Sequence, residues 1–352
     1  MREPTENYLI SEFTKMTETS GSVRVDLSGG TLDLNPINLI LPNVVTLNVA
    51  TSLKARVVIC KTDKPGVLIV SRDYQSETYY PSEDFLDSKL RGEHFKELSF
   101  VAQILHHFSA HSNIKVELES GSPAGAGLGG SSAMGVTLYS ALCDYYKKDL
   151  DRSLAIRVVN SIEARILDSG PAGYQDYYPA LYGGVLALKA SEEKVIVEQC
   201  YGPELAQTLE SHLTLVYSGQ ARLSGINNWE VYKGFFDQNP KMRNGLKAIA
   251  ELSSKAYGAL KSGKFQELVE LIAQEGAARK ELFPGIVSSA MAELYATIKK
   301  EVPELGLKVC GAGGGGCFLL IHSPTNADKV KKLVEQHQMK VLDFSVMPPL
   351  DL

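Results

Sequence analysis

The chain has 352 residues, 44% of them apolar and 22% charged, with a net charge of −5. That length suits two domains with sizeable cores, and the acidic balance argues against nucleic acid or an anionic membrane surface as partner. No apolar run approaches the ~18 residues of a membrane span. The charged first twenty residues do not read as a signal peptide, so a cytoplasmic protein is expected. The five cysteines show no C-x-x-C and read as reduced thiols, and the seven histidines show no metal-ligand spacing.

Residues 1–20 read as an extension ahead of the first domain, with a helix over Tyr8 to Met16. Val23, Val25 and Leu27 then alternate with polar residues as a strand does, and the strand breaks at Gly29 and Gly30. Thr31 to Pro36 form a polar turn in which Asp33 and Asn35 serve either as turn caps or as ligands. Strands follow at Val44 to Val49, Ala55 to Cys60 and Val67 to Val70. Pro81 to Gly92 reads as a loop and Leu98 to Phe108 as a helix, with His106, His107 and His111 as surface or packing residues.

Ile114 to Glu119 alternates as a half-buried strand and leads into PAGAGLGGSSAMG at Pro123 to Gly135. Met134, Val136, Thr137, Leu138, Ala141 and Leu142 recur at helical spacing, so a helix begins near Ser131. A strand, a glycine loop and a helix N-terminus make an anion site. The first helical turn has unpaired N–H groups, and glycines let backbone amides close on a phosphate. Ser131 and Ser132 can cap the helix or reach a metal ion bound to the phosphate. A flexible linker is the bland alternative, but linkers are rarely squeezed between a strand and an apolar helix. Gly125, Gly127 and Gly130 also satisfy G-x-G-x-x-G, the fingerprint of a nicotinamide (NAD)-binding oxidoreductase. That fingerprint needs a second strand ending in an acid about 20 residues on. Leu142 to Lys148, ahead of Asp149 and Asp151, does not read as one. No Gly-Lys-Ser/Thr ending follows, so the loop is not a P-loop either.

Leu154 to Leu167 is strongly helical, with Ile156, Val159, Ile162 and Ile166 on one face. Glu163, taken alone, is an ordinary solvated glutamate. Gly170, Pro171 and Gly173 end that helix and turn the chain. Asp176, a turn cap if taken alone, follows before the strand Val185 to Lys189. The character changes near residue 190. Strands are expected at Lys194 to Val197 and Leu213 to Tyr217, then Arg222, either a surface arginine or a phosphate contact. Helices cover Met242 to Ser262, Phe265 to Arg279 and Ile286 to Lys300. Lys308 to Ile321 reads as strand, glycine loop and strand, and Gly311 and Gly313 to Gly316 permit close backbone approach. A helix at Ala327 to Gln336 and a strand at Lys340 to Val346 close the chain.

Three of these segments, in this order, resemble the GHMP kinases, small-molecule kinases that include galactokinase, mevalonate kinase and homoserine kinase. Pro123 to Ala133 is similar to their phosphate loop, Pro-x-x-x-Gly-Leu-(Gly/Ser)-Ser-Ser-(Ala/Ser), with Gly130 in place of one serine. Arg24 to Asp33 resembles the first motif, most of all its form in heptose-phosphate kinases and fucokinases. The Glu-His pair of galactokinases proper is missing. Gly173 to Gly184 resembles the aspartate-bearing element in its Gln-Asp form, and Lys308 to Ile321 the third motif.

The resemblance implies an α+β, two-domain fold. Residues 21–190 would form a ribosomal S5 domain 2-like N-terminal domain that takes ATP and substrate. Residues 191–352 would form a ferredoxin-like C-terminal domain. It further implies ATP-dependent phosphorylation, with Mg²⁺, of the anomeric hydroxyl of a sugar or sugar phosphate. D-glycero-D-manno-heptose 7-phosphate, taken to the 1,7-bisphosphate, is favoured over L-fucose or another hexose and then mevalonate. Asp176 would be the catalytic acid–base group, with Arg24 offsetting developing charge. Pro123, Gly125, Gly127, Leu128, Gly129, Gly130, Ser131 and Ser132 would surround the ATP phosphates. Ser131 (or Ser132) and Glu163 would hold Mg²⁺. Gly30, Asp33, Gln175 and Arg222 would meet the substrate, while Gly311, Gly313, Gly314 and Gly315 would buttress the phosphate loop. A catalytically silent kinase-fold regulator stays open as an alternative, as does the oligomeric state, a homodimer included.

Overall fold

The computed structural model describes residues 16–167, 173–220 and 224–351. Two long antiparallel strands, β1 (Met16–Ser28) and β2 (Thr46–Lys61), frame the first half, with the short α1 (Ile37–Ile40) in their connection. Their register slips between Ser22 and Arg24 and again between Asp26 and Ser28. Such bulges re-aim side chains beside functional sites. Two expectations change here. Met16 to Ser20 belong to β1 and are not part of an extension: Thr17 and Thr19 suit a pleated strand, and Glu18 pairs with Arg56 at 2.7 Å. The remainder of the helix expected from Tyr8 lies outside the described residues. The two strands expected at 44–49 and 55–60 are one, since residues 51–54 bend β2 without ending it.

β3 (Val67–Ser71), β4 (Ser76–Tyr80), α2 (Asp87–Leu90), α3 (Ser99–His107) and β5 (Ile114–Glu119) come next. α4 (Gly130–Tyr145), α5 (Arg152–Leu167), α6 (Tyr178–Tyr182), β6 (Val185–Ala190) and β7 (Val195–Gln199) follow. The sheet runs β4-β3-β5-β2-β6-β7, with β1 added against β2; β3 and β5 are parallel. Helices pack on it through fully buried Val25, Val57, Ile104, Val116, Leu138, Leu142 and Val159. Removing such side chains from water is worth about 1.5–3 kcal/mol each. β7 extends the first sheet to residue 199, nine residues beyond the boundary expected at 190.

The second half holds α7 (Pro203–His212), β8 (Leu213–Tyr217), α8 (Ser224–Phe236), α9 (Pro240–Lys261), α10 (Phe265–Lys280) and α11 (Ser289–Glu301). β9 (Gly306–Val309), β10 (Cys317–Ile321), α12 (Ala327–Gln336) and β11 (Lys340–Val341) complete it. Its antiparallel sheet has the order β11-β8-β10-β9, the 4-1-3-2 arrangement of a ferredoxin-like unit. The last strand is shorter than expected because the tail crosses back to the first half. There the Ser52 N–H donates to the Ser345 carbonyl, and the Met347 N–H to that of Ala50, each at 2.9 Å. The halves also interlock near β1. Leu32, Leu34 and Ile37, from the turn after β1, are buried in the core of the second half with Val216, Leu246 and Phe318.

Candidate active site

A cleft of about 460 Å³ is lined by residues of both halves. β1 supplies Arg24, whose side chain is 2% exposed. Its Nε donates to Asp176 Oδ1 at 2.8 Å and its Nη1 to the Gly127 carbonyl at 2.6 Å, so one guanidinium ties the glycine loop to the aspartate. Burial works against the charge of Arg24, but the carboxylates of Asp176 and Asp26 outweigh it and raise the pKa.

Asp176 arrives on the turn before α6 and rests against the start of α4. A Cβ built on Gly129 would lie 3.0 Å from both Cβ and Cγ of Asp176. Gly129 also has φ +70°, so a side chain there would be strained as well as obstructed. No side chain caps α4, which leaves the first-turn N–H groups of cleft-lining Gly130, Ser131 and Ser132 for a ligand. The two serines differ in exposure, though both act on Glu163. Ser131 is exposed in the cleft, whereas buried Ser132 donates from Oγ to Glu163 Oε2 at 2.7 Å. The Tyr177 hydroxyl donates to the same oxygen at 2.6 Å and accepts from Asn160 Nδ2 at 3.0 Å. Burial raises the pKa of Glu163, and these hydrogen bonds only partly offset it. Glu163 is therefore no solvated helix residue: α5 aims it inward.

At the other side of Arg24, Asp33 is 4% exposed and accepts from the Gln175 N–H at 3.2 Å. Burial, then the charge of Asp176, pushes its pKa up to about 6. Gln175 is itself buried, and its Oε1 has no hydrogen-bond partner among the described residues. Thr31, Leu34, Gly173 and Asn228 complete this end of the cleft.

Pro123, Gly125, Gly127, Gly129, Gly130, Ser131 and Ser132 line the cleft as the sequence suggests; Leu128 does not. Its side chain is fully buried beneath the loop, and its carbonyl accepts from the Arg24 N–H at 3.0 Å. Gly30 is also off the lining, its carbonyl held by Arg279 Nη2 at 2.5 Å. Of the third glycine loop, Gly311 and Ala312 reach the cleft. The support of the phosphate loop comes from Gly316 and Cys317. A Cβ on Gly316 would strike the Ala126 carbonyl at 2.6 Å, and the Cys317 N–H donates to that same carbonyl at 2.6 Å. Gly313 and Gly314 instead close on the Ile286 carbonyl, and Gly315 follows them with φ +143°. Arg222 lies outside the described residues.

Sequence reasoning missed the apolar end of the cleft, formed by Tyr74, Leu98, Phe100, Val101 and Leu118. Leu98, Phe100 and Val101 at the start of a helix were its available signal. It is anchored by Asp73, which accepts from the N–H and the Oγ of Ser120, both at 2.9 Å.

The donor set fits a magnesium–nucleotide complex. Ser131, Ser132, Glu163 and Asp176 offer hard oxygens. Among the described residues no group of three His, Cys, Asp or Glu could cage a metal ion. Mg²⁺ is usually held by one or two carboxylates plus substrate phosphates, and Glu163 would be such a carboxylate. The lining holds Asp33, Asp73, Glu97, Glu163 and Asp176 against Arg24, so a bare polyphosphate would meet repulsion that a bound divalent cation relieves.

Fold and cleft together define a two-domain α+β protein that offers an anion cradle at a helix N-terminus beside a guanidinium-held aspartate. The family described as GHMP kinases N terminal domain matches residues 96–184, and GHMP kinases C terminal matches residues 248–338. The chain belongs to the GHMP kinases, phosphotransferases that take an alcohol group as acceptor. It is 25% identical over 334 residues to the D-glycero-alpha-D-manno-heptose 7-phosphate kinase of Campylobacter jejuni, covering 94% of this chain and 96% of that one. It is also 25% identical to the bifunctional fucokinase/GDP-fucose pyrophosphorylase of Arabidopsis thaliana, covering 94% of this chain but 32% of that much longer protein. Its fold matches the crystal structure of the Methanococcus jannaschii mevalonate kinase with a TM-score of 0.76 at 16% identity, over 96% of this chain and 100% of the other. No helix among the described residues is long and apolar enough to cross a membrane.

Proposed function

We propose that the protein transfers the γ-phosphoryl group of ATP to the anomeric hydroxyl of a sugar phosphate, with D-glycero-D-manno-heptose 7-phosphate as the first choice. The observation that carries this reading is the contact of Asp176 with both Arg24 and the Gly129 start of α4, which sets a carboxylate beside a phosphate cradle. Phosphoryl transfer asks a protein chiefly for positioning and for charge stabilisation. Amides of residues 125–132 surround the phosphates, and the apolar end at Tyr74 and Phe100 takes the purine. Glu163 with Ser132 or Ser131 holds Mg²⁺, whose bound charge offsets that of the phosphates. Asp176 orients the acceptor hydroxyl and takes its proton, Arg24 faces the developing charge, and Asp33 and Gln175 hold acceptor hydroxyls.

The heptose-phosphate assignment rests on the Gln175–Asp176 pair, the Arg24 to Asp33 motif and the 25% identity to the Campylobacter kinase. A neutral hexose such as L-fucose is the second reading. The described lining, with five carboxylates and a single guanidinium already engaged by Asp176, suits an uncharged, hydroxyl-rich acceptor. A coupled ADP-release assay over heptose 7-phosphate, L-fucose, galactose and mevalonate separates them. The first reading expects the highest kcat/KM with the heptose phosphate. A higher value with L-fucose replaces it by the second, and turnover of mevalonate alone overturns both.

A further inference from the structure

Beneath the cleft lies a cluster of four ionised side chains from three distant segments: Asp26 of β1, Glu275 and Arg279 of α10, and Lys308 of β9. All are at most 1% exposed. Arg279 Nη1 lies 3.2 Å from Asp26 Oδ2, and Arg279 Nη2 lies 2.7 Å from Glu275 Oε1. Lys308 Nζ bridges the same two acids, at 3.0 Å from Asp26 Oδ2 and 2.9 Å from Glu275 Oε2. Two acids balance two bases. A cluster this deeply buried is no reliable source of stability, because desolvation costs about as much as pairing returns. It calls for another reason.

The backbone contacts supply one. Beyond its ion pairs, Arg279 donates from Nη2 to the Gly30 carbonyl at 2.5 Å and from Nη1 to the Gly311 carbonyl at 3.2 Å. Glu275 Oε1 accepts from the Gly29 N–H at 3.2 Å. Gly29 and Gly30 open the turn that carries Thr31 and Asp33 into the cleft, while Gly311 and Ala312 enter it from the second half. Gly30 has no room for a side chain, since a Cβ would sit 2.1 Å from Asp26 Oδ2 and 2.9 Å from Arg279 Nη2.

We propose that Arg279 is a positioning residue for the acceptor: its planar fork, held by Asp26 and Glu275, clamps the Asp33 turn to the third glycine loop and so sets the acceptor end of the cleft. An arginine suits the task because its donors diverge in a fixed plane, whereas an ammonium is a compact point charge. Among the described residues the nucleotide end, built on α4, β5 and the Asp73–Ser120 contact, shares no hydrogen bond or ion pair with the cluster. Arg279 therefore acts on one substrate and not on the other.

This inference rests on the kinase reading only for the identity of the two substrates, and a structural readout tests it separately. Arg279→Lys keeps the charge balance but loses the fork. Lys308→Met removes the other base while leaving the Arg279 contacts to Asp26, Glu275, Gly30 and Gly311. Hydrogen–deuterium exchange is measured on both variants, with the KM for acceptor and for ATP and the Tm. Arg279→Lys is expected to speed exchange at residues 29–34 and 311–312 together and to raise the acceptor KM about tenfold or more, with the ATP KM within about twofold. Lys308→Met, which leaves two buried acids facing one base, is expected to lower the Tm while leaving the acceptor KM within about threefold. Arg279→Lys exchange like wild type at those two segments overturns the clamp whatever the enzyme phosphorylates. An acceptor KM that tracks the Tm equally in both variants, or moves in step with the ATP KM, overturns the positioning role and leaves the kinase reading standing. If Arg279→Lys does not fold, the same comparison is made with Arg279→Gln.

Discussion

Two carboxylates near Arg24 are held by different partners, and each makes a separate prediction. Asp176 accepts from the guanidinium, whereas Asp33 is buried with a backbone N–H as its donor among the described residues. General-base assistance is typically worth ~10²–10⁴-fold, so Asp176→Asn is expected to cut turnover by at least about 10²-fold. MgATP should still bind, as titration calorimetry would show. Asp33 has a pKa near 6 in place of 3.8, so the folded state holds its proton where the unfolded chain has lost it. Its contribution to stability is thus lost as pH rises through about 4 to 6, by up to about 3 kcal/mol at roughly 1.4 kcal/mol per pH unit. Asp33→Asn should remove that part of the pH dependence in thermal melts. If the ionised carboxylate accepts an acceptor hydroxyl, the wild-type acceptor KM should fall as pH rises past 6, and the Asn variant should lack that trend.

At the scale of the elements, the glycine loops work by what they exclude. Gly129→Ala would press a methyl against the Asp176 carboxyl and force a side chain into the left-handed region, so turnover should drop with a stability loss of about 1 kcal/mol or more. Near-wild-type turnover of that variant would show that the loop and the aspartate are not in contact. The loop, its strand and its helix were legible in the sequence because all three are local: alternation, glycine spacing and the apolar repeat of α4 lie within thirty-two residues from Ile114 to Tyr145. The choice between Ser131 and Ser132 was not, since adjacent hydroxyls both act on Glu163, one exposed in the cleft and one buried. The buttress was legible as a run of glycines, Gly313 to Gly316, but not which of them makes the contact. Gly316 and Cys317 touch the phosphate loop, and a run of four glycines has no side-chain period by which to tell its members apart. α7 was missed although Pro203, Leu205, Ala206 and Leu209 carried a helical signal.

At the scale of the whole molecule, the halves are joined through burial and charge together. Leu32, Leu34 and Ile37 anchor the acceptor turn in the second core, and the Asp26–Glu275–Arg279–Lys308 cluster lies beside it. Sequence alone could not assemble that cluster, because its members come from positions 26, 275, 279 and 308 and each looks like an ordinary charge until the fold buries it. Lys308 left the strongest trace, as a lone cation in an apolar strand. Lys308→Met would leave two buried carboxylates facing one guanidinium, and a loss of about 3–5 kcal/mol in denaturant unfolding is expected. The account as a whole depends on one cleft serving both nucleotide and acceptor, with Asp176 between them. The most direct measurement is acceptor-dependent ADP release by wild type and by Asp176→Asn, alongside MgATP affinity for both. The account predicts release by the wild type that the variant loses while binding MgATP with similar affinity, and wild-type turnover by the variant would contradict it.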